Sequence, residues 1–253
     1  MNIPKIIFEP MSLEENIDII KWSFFEVNDL MNLHKSTICC FKELFEVNIN
    51  GNKEEIYLYI EKVVSKYYNK CINKINDEVQ RYNKIWDSYN DNYFRKLSIY
   101  LNMNFSSNLK IIKAKVGLIP VFPRYLDTYS FSVSISLEEK QIIDICSHEC
   151  LHFLWFDKWK KMYPNYSRDE FESPHTIWKY SEMVVDPILN SKEINKVINL
   201  NIRAYDNFYN IKDNNDIYVM DKLKNIFNTN DLIEDKIRNG YEYISSVFDN
   251  KSI

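Results

Sequence analysis

YSFSVSISLEEKQIIDICSHECLH, residues 129–152, changes structural period partway along its length. In its first third Tyr129, Phe131, Val133 and Ile135 alternate with Ser130, Ser132, Ser134 and Ser136. That period of two predicts a strand with one apolar face and one small, hydroxylated face. Ser136-Leu137-Glu138-Glu139 then has the S-x-x-E form of a capping box, in which hydroxyl and carboxylate satisfy the free N–H groups of a helix start. The predicted helix runs to about Tyr163, where Pro164 stops it. His148-Glu149-Cys150-Leu151-His152, an HExxH run, falls in the middle of it. Residues i and i+4 stack one turn apart on one helix face, so both imidazoles can reach a single Zn²⁺ with Glu149 beside a bound water. Strand, short turn and motif-bearing helix therefore follow one another directly.

Working outward, Ile112, Ala114, Val116 and Leu118 alternate with Lys113, Lys115 and Gly117 as a second strand, and Pro120 and Pro123 mark an irregular connection. The first hundred residues carry helical spacing, from about Leu13 to Phe45 and from about Glu54 to Leu101. In the second stretch Ile56, Ile60, Val63, Tyr67, Cys71, Ile75, Val79, Tyr82, Trp86, Tyr89, Tyr93 and Leu97 make a nearly unbroken apolar stripe, read as core packing, with a coiled-coil partner helix as the alternative. Beyond the motif, Ser173-Pro174 has the form of an N-cap followed by a first-turn proline. The helix it opens is expected to reach about Leu189 and to carry Glu182 and Asp186, with further helical segments at 213–228 and 231–248. Only three glycines are present, which suits long helices rather than tight hairpins. The fold expected is α+β: a small sheet packed on the HExxH helix, with a helical N-terminal region over 1–105 and a catalytic region over 106–253 that ends in supporting helices.

The 253 residues allow one large or two small domains, and 45% hydrophobic residues supply ample core. A net charge of -4 and a pI near 5.7, with the basic residues scattered, argue against a nucleic-acid binder held by phosphate contacts. No stretch has the length of a membrane span, and the N-terminal apolar run is cut short by Glu9 and Pro10 before it could serve as a secretory signal, so a cytoplasmic protein is expected. Five cysteines (39, 40, 71, 146, 150), odd in number and without CxxC spacing, fit reduced thiols. Cys146 and Cys150, which flank the motif, are read as buried small residues rather than metal ligands.

Two histidines do not complete a catalytic zinc site, which normally has three protein ligands and an open position. The continuation HExxHxxGxxH fails here, because Trp155 and Lys158 stand at the glycine and third-histidine positions. His175 and the later carboxylates remain as candidates. Glu182 stands out among them because Asp186 follows one turn later, in Glu182-Met183-Val184-Val185-Asp186. HExxH followed on a later helix by ExxxD resembles the gluzincin metallopeptidases, the thermolysin-like group, over about forty residues. The stretch Trp178-Lys179-Tyr180-Ser181 and the separation of thirty residues from His152 to Glu182 depart from the thermolysin pattern.

The resemblance implies a zincin-like fold and Zn²⁺ held by His148, His152 and Glu182. It implies Glu149 as general base and Asp186 accepting a hydrogen bond from the far nitrogen of a ligand histidine, which would fix that imidazole's orientation. It also implies that strand 129–136 is an exposed edge able to hold a peptide or protein substrate by backbone pairing, with an interior strand as the competing expectation. For the oxyanion donor the candidate is His175, which lies seven residues before Glu182 and so shares its helix face, whereas Tyr180 points away. The function expected is a zinc metallopeptidase hydrolysing peptide bonds. The alternative is a zincin-like binding or regulatory module without peptidase activity, against which the intact Glu149 argues.

Overall fold

The computed structural model describes residues 3–27 and 31–249 of the chain. The helical stretch expected from Leu13 to Phe45 includes 28–30, which lie outside the described residues. In chain order the elements are β1 (Lys5–Pro10), α1 (Leu13–Phe25), α2 (Leu33–Ile38), α3 (Lys53–Asp87), α4 (Asn90–Tyr100), β2 (Ile111–Gly117), β3 (Arg124–Tyr125), β4 (Ser130–Ser134), α5 (Glu139–Met162), α6 (Thr176–Met183), α7 (Val185–Leu189), α8 (Lys192–Ile198), α9 (Val219–Phe227) and α10 (Ile233–Phe248). The fold is α+β, mainly helical with one small mixed sheet. No described helix is long and apolar enough to cross a membrane.

Two compact units divide the chain, and they do not follow the division at 105. The first unit is Lys5–Ser88 with Ile111–Ile143; the second is Met1–Pro4 with Tyr89–Lys110 and Asp144–Ile253. The sheet and the motif thus belong to different units, and α5 runs from one into the other. The apolar stripe read as one helix from Glu54 to Leu101 is two, α3 and α4, one in each unit. Within α3, Ile56, Ile60, Val63, Val64, Ile75, Tyr82 and Trp86 are buried, as core packing requires.

In the first unit the strand order is β1-β2-β4-β3, with β1, β2 and β4 parallel and the two-residue β3 antiparallel to β4. Parallel strands are covered on both faces. This explains why β4 is buried along its whole length although its sequence alternates: Ser130, Ser132 and Ser134 are as enclosed as Phe131 and Val133. Nor is β4 the bare edge that the resemblance implied. Lys113 N–H donates to the Tyr129 carbonyl and Ile135 N–H to the Gly117 carbonyl, so the odd-numbered residues pair with β2. On the opposite side Ser130 and Phe131 register with β3, Ser132 N–H donates to the Pro123 carbonyl, and the Tyr82 hydroxyl donates to the Ser134 carbonyl at 2.8 Å. Added-strand binding of a substrate at β4 is therefore withdrawn. At the other end of the sheet, Asn83 accepts from Phe8 N–H at 3.0 Å and donates back to the Phe8 carbonyl at 3.2 Å, and Pro10 has no N–H to offer, so the free edge of β1 is blunted too.

β1 itself occupies the short N-terminal apolar run that Glu9 and Pro10 end. The turn after it is fixed by Asn16, whose amide donates to the carbonyls of Met11 and Ser12 while its oxygen accepts from Leu118 N–H. Gly117 permits that approach, since a Cβ there would lie 2.8 Å from the Met11 sulfur.

Ser-Leu-Glu-Glu occurs twice, at 12–15 and at 136–139, and the two copies behave differently. At Ser12 the capping box forms: Glu15 N–H donates to Ser12 Oγ, and Ser12 N–H donates to the Glu15 carboxylate. At Ser136 it does not, which corrects the expected start of α5. The Ser136 hydroxyl pairs with that of Ser134, Leu137 N–H donates to Tyr82 Oη, and the Leu137 carbonyl accepts from Arg81. The helix begins at Glu139 instead, and the Gln141 side chain accepts from Glu138 N–H.

The second unit is built on the apolar C-terminal half of α5, where Cys150, Leu151, Phe153, Leu154, Trp155, Phe156 and Trp159 are all buried. A helix apolar on every face is a core helix. Tyr180 of α6 packs edge-on against Trp155 and against Trp159, with centroids at 5.3 and 6.1 Å, and donates its hydroxyl to the Ile237 carbonyl of α10 at 3.0 Å. Gly240 makes room for that phenol, because a Cβ there would overlap its oxygen and lie 3.0 Å from its Cζ. Residues 213–218, expected to be helical, form a turn in which the Asp213 carboxylate accepts from the N–H groups of Asn215 and Ile217. Gly240→Ala should lower stability in urea unfolding by about 1–3 kcal/mol, the usual cost of overpacking. The same change in a Tyr180→Phe background should cost clearly less, since the oxygen it overlaps is gone; an equal cost in both backgrounds would place the strain elsewhere.

Candidate metal centre

α5 carries His148 and His152 one turn apart, with ring centroids 4.7 Å from each other. Its neighbour α6 is seated on Trp155 and Trp159 through Tyr180, and Glu182, two residues further on, meets both imidazoles. Glu182 Oε2 lies 3.1 Å from His148 Nε2 and 3.4 Å from His152 Nε2. No two of the three donor atoms are more than 4.8 Å apart. His152 and Glu182 are almost wholly buried, and His148 retains 19% of its side-chain exposure, so the site meets solvent at His148. Ligands held about 2.0–2.1 Å from a tetrahedral ion lie roughly 3.3–3.4 Å from each other, so the two nitrogen–oxygen separations fit the edges of such a coordination shell. Two imidazole nitrogens and one carboxylate oxygen are also the donor set of an open zinc site.

The surroundings hold this half of α5 firmly. His152 stacks on Phe156 at 6.1 Å and 19°, Phe156 packs on Phe171, and Phe171 stacks on Tyr166. From α4 the buried Tyr93 hydroxyl donates to the Ser147 carbonyl at 2.5 Å, immediately before His148, and burial pushes that phenol far above its ordinary pKa, so it remains a donor. Burial also raises the Asp144 carboxyl, one turn before His148, although His148 opposes the shift. Cys146 and Cys150 face away from the imidazoles, each about 160° around the helix from His148. Burial drives both thiols well above their ordinary pKa, so they are neutral packing groups and not ligands. Lys158, at the failed third-histidine position, is buried and pairs with Glu234 of α10.

The other residues singled out lie differently. Glu149, next to His148 in the sequence, is buried, 7% exposed. His175 does not lie inside the helix: the helix starts at Thr176 with His175 as its N-cap, after a cis Ser173-Pro174 bond. Its side chain is exposed and makes no hydrogen bond among the described residues, so nothing assigns it an oxyanion-binding role. Asp186 requires a correction as well. Its carboxylate accepts from Tyr209 Oη, from Asn190 Nδ2 at 2.9 Å and from Lys224 Nζ at 2.8 Å, and from neither histidine. Tyr209 and Lys224 carry no local spacing signal that could connect them to the motif; only the fold brings them there. Comparison of the chain with protein-family models, with curated proteins and with solved structures finds no match.

The Lys158–Glu234 pair allows a check on how α10 is tied to α5. Burial pulls the Glu234 carboxyl up, but the hydrogen bond from Lys158 with its neighbours outweighs this and leaves it below the ordinary value of 4.5. A carboxyl depressed on folding stabilises above its unfolded pKa and loses that contribution as pH falls through the folded one. Glu234→Gln should therefore cost about 2 kcal/mol at pH near 7, somewhat below a fully buried pair because Glu234 is partly exposed. The difference from wild type in urea unfolding should hold down to about pH 5 and shrink below it. A pH-independent difference would show that the charge pair is not its source.

Proposed function

We propose that the chain is a zinc-dependent metallopeptidase, with His148, His152 and Glu182 as the metal ligands and Glu149 as the general base. The observation that carries this reading is the convergence of the three donors within 4.8 Å on two different helices, since Glu182 comes from a separate helix and meets the pair at separations suited to one ion. Bound there, Zn²⁺ supplies a water whose pKa is lowered to about 7 and a Lewis acid that polarises the scissile carbonyl. The protein's own part is positional and protonic. Phe156 stacks against the His152 ring, Tyr180 holds α6 and thereby Glu182, and the partial exposure of His148 leaves an approach for a peptide or protein substrate. Glu149 takes the proton from the attacking water and returns it to the leaving amine, the transfer a general base contributes at about 10²–10⁴-fold in rate.

Purified protein should hold about one Zn²⁺ per chain, and His148→Ala, His152→Ala or Glu182→Ala should each deplete it on elemental analysis. Full occupancy in Glu182→Ala would remove it from the ligand set. Glu149→Gln should keep zinc and thermal stability while peptide hydrolysis falls by about 10² or more. Zinc-loaded wild type that cleaves nothing in a broad peptide library would favour a metal-dependent binding module instead.

A further inference from the structure

Glu182 and Asp186 are one turn apart, but the helix between them is interrupted. Pro187 has no N–H to donate to the Met183 carbonyl, and α6 ends there, with α7 resuming at Val185. The turn that carries Glu182 is therefore not braced by a continuous helical ladder. The segment 202–209 supplies bracing on both sides of it. One turn before Glu182, Trp178 stacks with Tyr205 at 6.5 Å and 30°. One turn after it, the Tyr209 hydroxyl donates to Asp186, which is only 4% exposed, and itself accepts from Ala204 N–H at 3.1 Å. Asn190 completes the clamp, accepting from Ile202 N–H at 3.1 Å and donating to the Ile202 carbonyl and to Asp186. Lys224 of α9 closes the ion pair with the same Asp186 oxygen that Tyr209 reaches, and both Lys224 and Arg203 lie over the Tyr209 ring.

We propose that Tyr209, Lys224 and Asp186 are positioning residues that hold the Glu182 carboxylate in register with the two imidazoles across the break in the helix. This inference rests on the metal-centre reading above. On it, the carboxylate after Glu182 acts on the third ligand through the backbone rather than on a histidine ring. A tie of this kind is felt in metal affinity, because a ligand that wanders must be reordered when the ion binds.

The test uses the full chain and Zn²⁺ in competition with a chromophoric chelator, with the visible absorption of the Co²⁺-loaded protein as a second readout. Tyr209→Phe keeps the ring beside its cations and removes only the hydroxyl; Lys224→Met removes the charge, and Lys224→Arg retains it. Tyr209→Phe and Lys224→Met should each weaken Zn²⁺ by about tenfold or more and alter the Co²⁺ spectrum, with Lys224→Arg recovering most of the affinity. Wild-type affinity and an unchanged Co²⁺ spectrum in Tyr209→Phe would overturn the positioning role and leave the metal centre standing, and Tyr209→Phe decides if Lys224→Met does not fold. Lys224→Arg binding no better than Lys224→Met would also count against it. Failure of wild type to take up stoichiometric Zn²⁺ would instead overturn the metal-centre reading.

Discussion

The seating of Tyr180 against Trp155 and Trp159 is the contact on which the geometry of the candidate centre depends, because it fixes the helix that brings Glu182 to the imidazoles. Three aromatic rings in edge and tilted contact bury large areas and resist sliding, since their preferred geometries are few. The Tyr180 hydroxyl then ties the same residue to α10 through the Ile237 carbonyl, and this works only because position 240 is glycine. An apolar packing problem and a polar site are thereby solved with one short helix: Tyr180 on one side of it, Glu182 on the other.

Burying the motif has an electrostatic consequence. Glu182 and His152, with almost no exposure, and the half-buried His148 converge on one point, and polar groups taken from water need compensation for lost hydration. On the proposed reading, a cation held at this point would supply that compensation for all three at once. Two other buried charges of this unit are compensated by other means: Lys158 is matched by Glu234, and Asp186 by Lys224, Tyr209 and Asn190. The thiols at 146 and 150 need none, because burial keeps them neutral.

The alternating serines of β4 show how a correct local reading can yield a wrong environment. The period of two does mark a strand, yet a strand between two neighbours in a mainly parallel sheet is covered on both faces, and small hydroxyls tolerate that burial by pairing locally, as Ser130 does with Thr128 and Ser134 with Ser136. The edge needed to hold an added peptide strand is taken by Pro123, β3 and Tyr82.

Read alone, residues 136–163 supported a long helix with two imidazoles on one face, because i and i+4 spacing and a terminating proline act within a few residues of chain. Strand signals at 112–118 and 129–136, the helical content, and Glu182 as the outstanding carboxylate were accessible in the same way, each carried by near neighbours. Long-range contacts decided the rest. The repeated Ser-Leu-Glu-Glu is the clearest case: it caps a helix at Ser12, where Lys115 takes one Glu15 oxygen and leaves the other for the cap, and fails at Ser136, where Ser134, Tyr82 and Arg81 claim the same groups. Asp186 is another, drawn to Tyr209 and Lys224, residues 23 and 38 positions away, which no local period could single out. Local hydrogen-bond patterns are encoded by neighbouring residues, but which partner wins a given donor or acceptor depends on what the folded chain brings within about 3 Å of it.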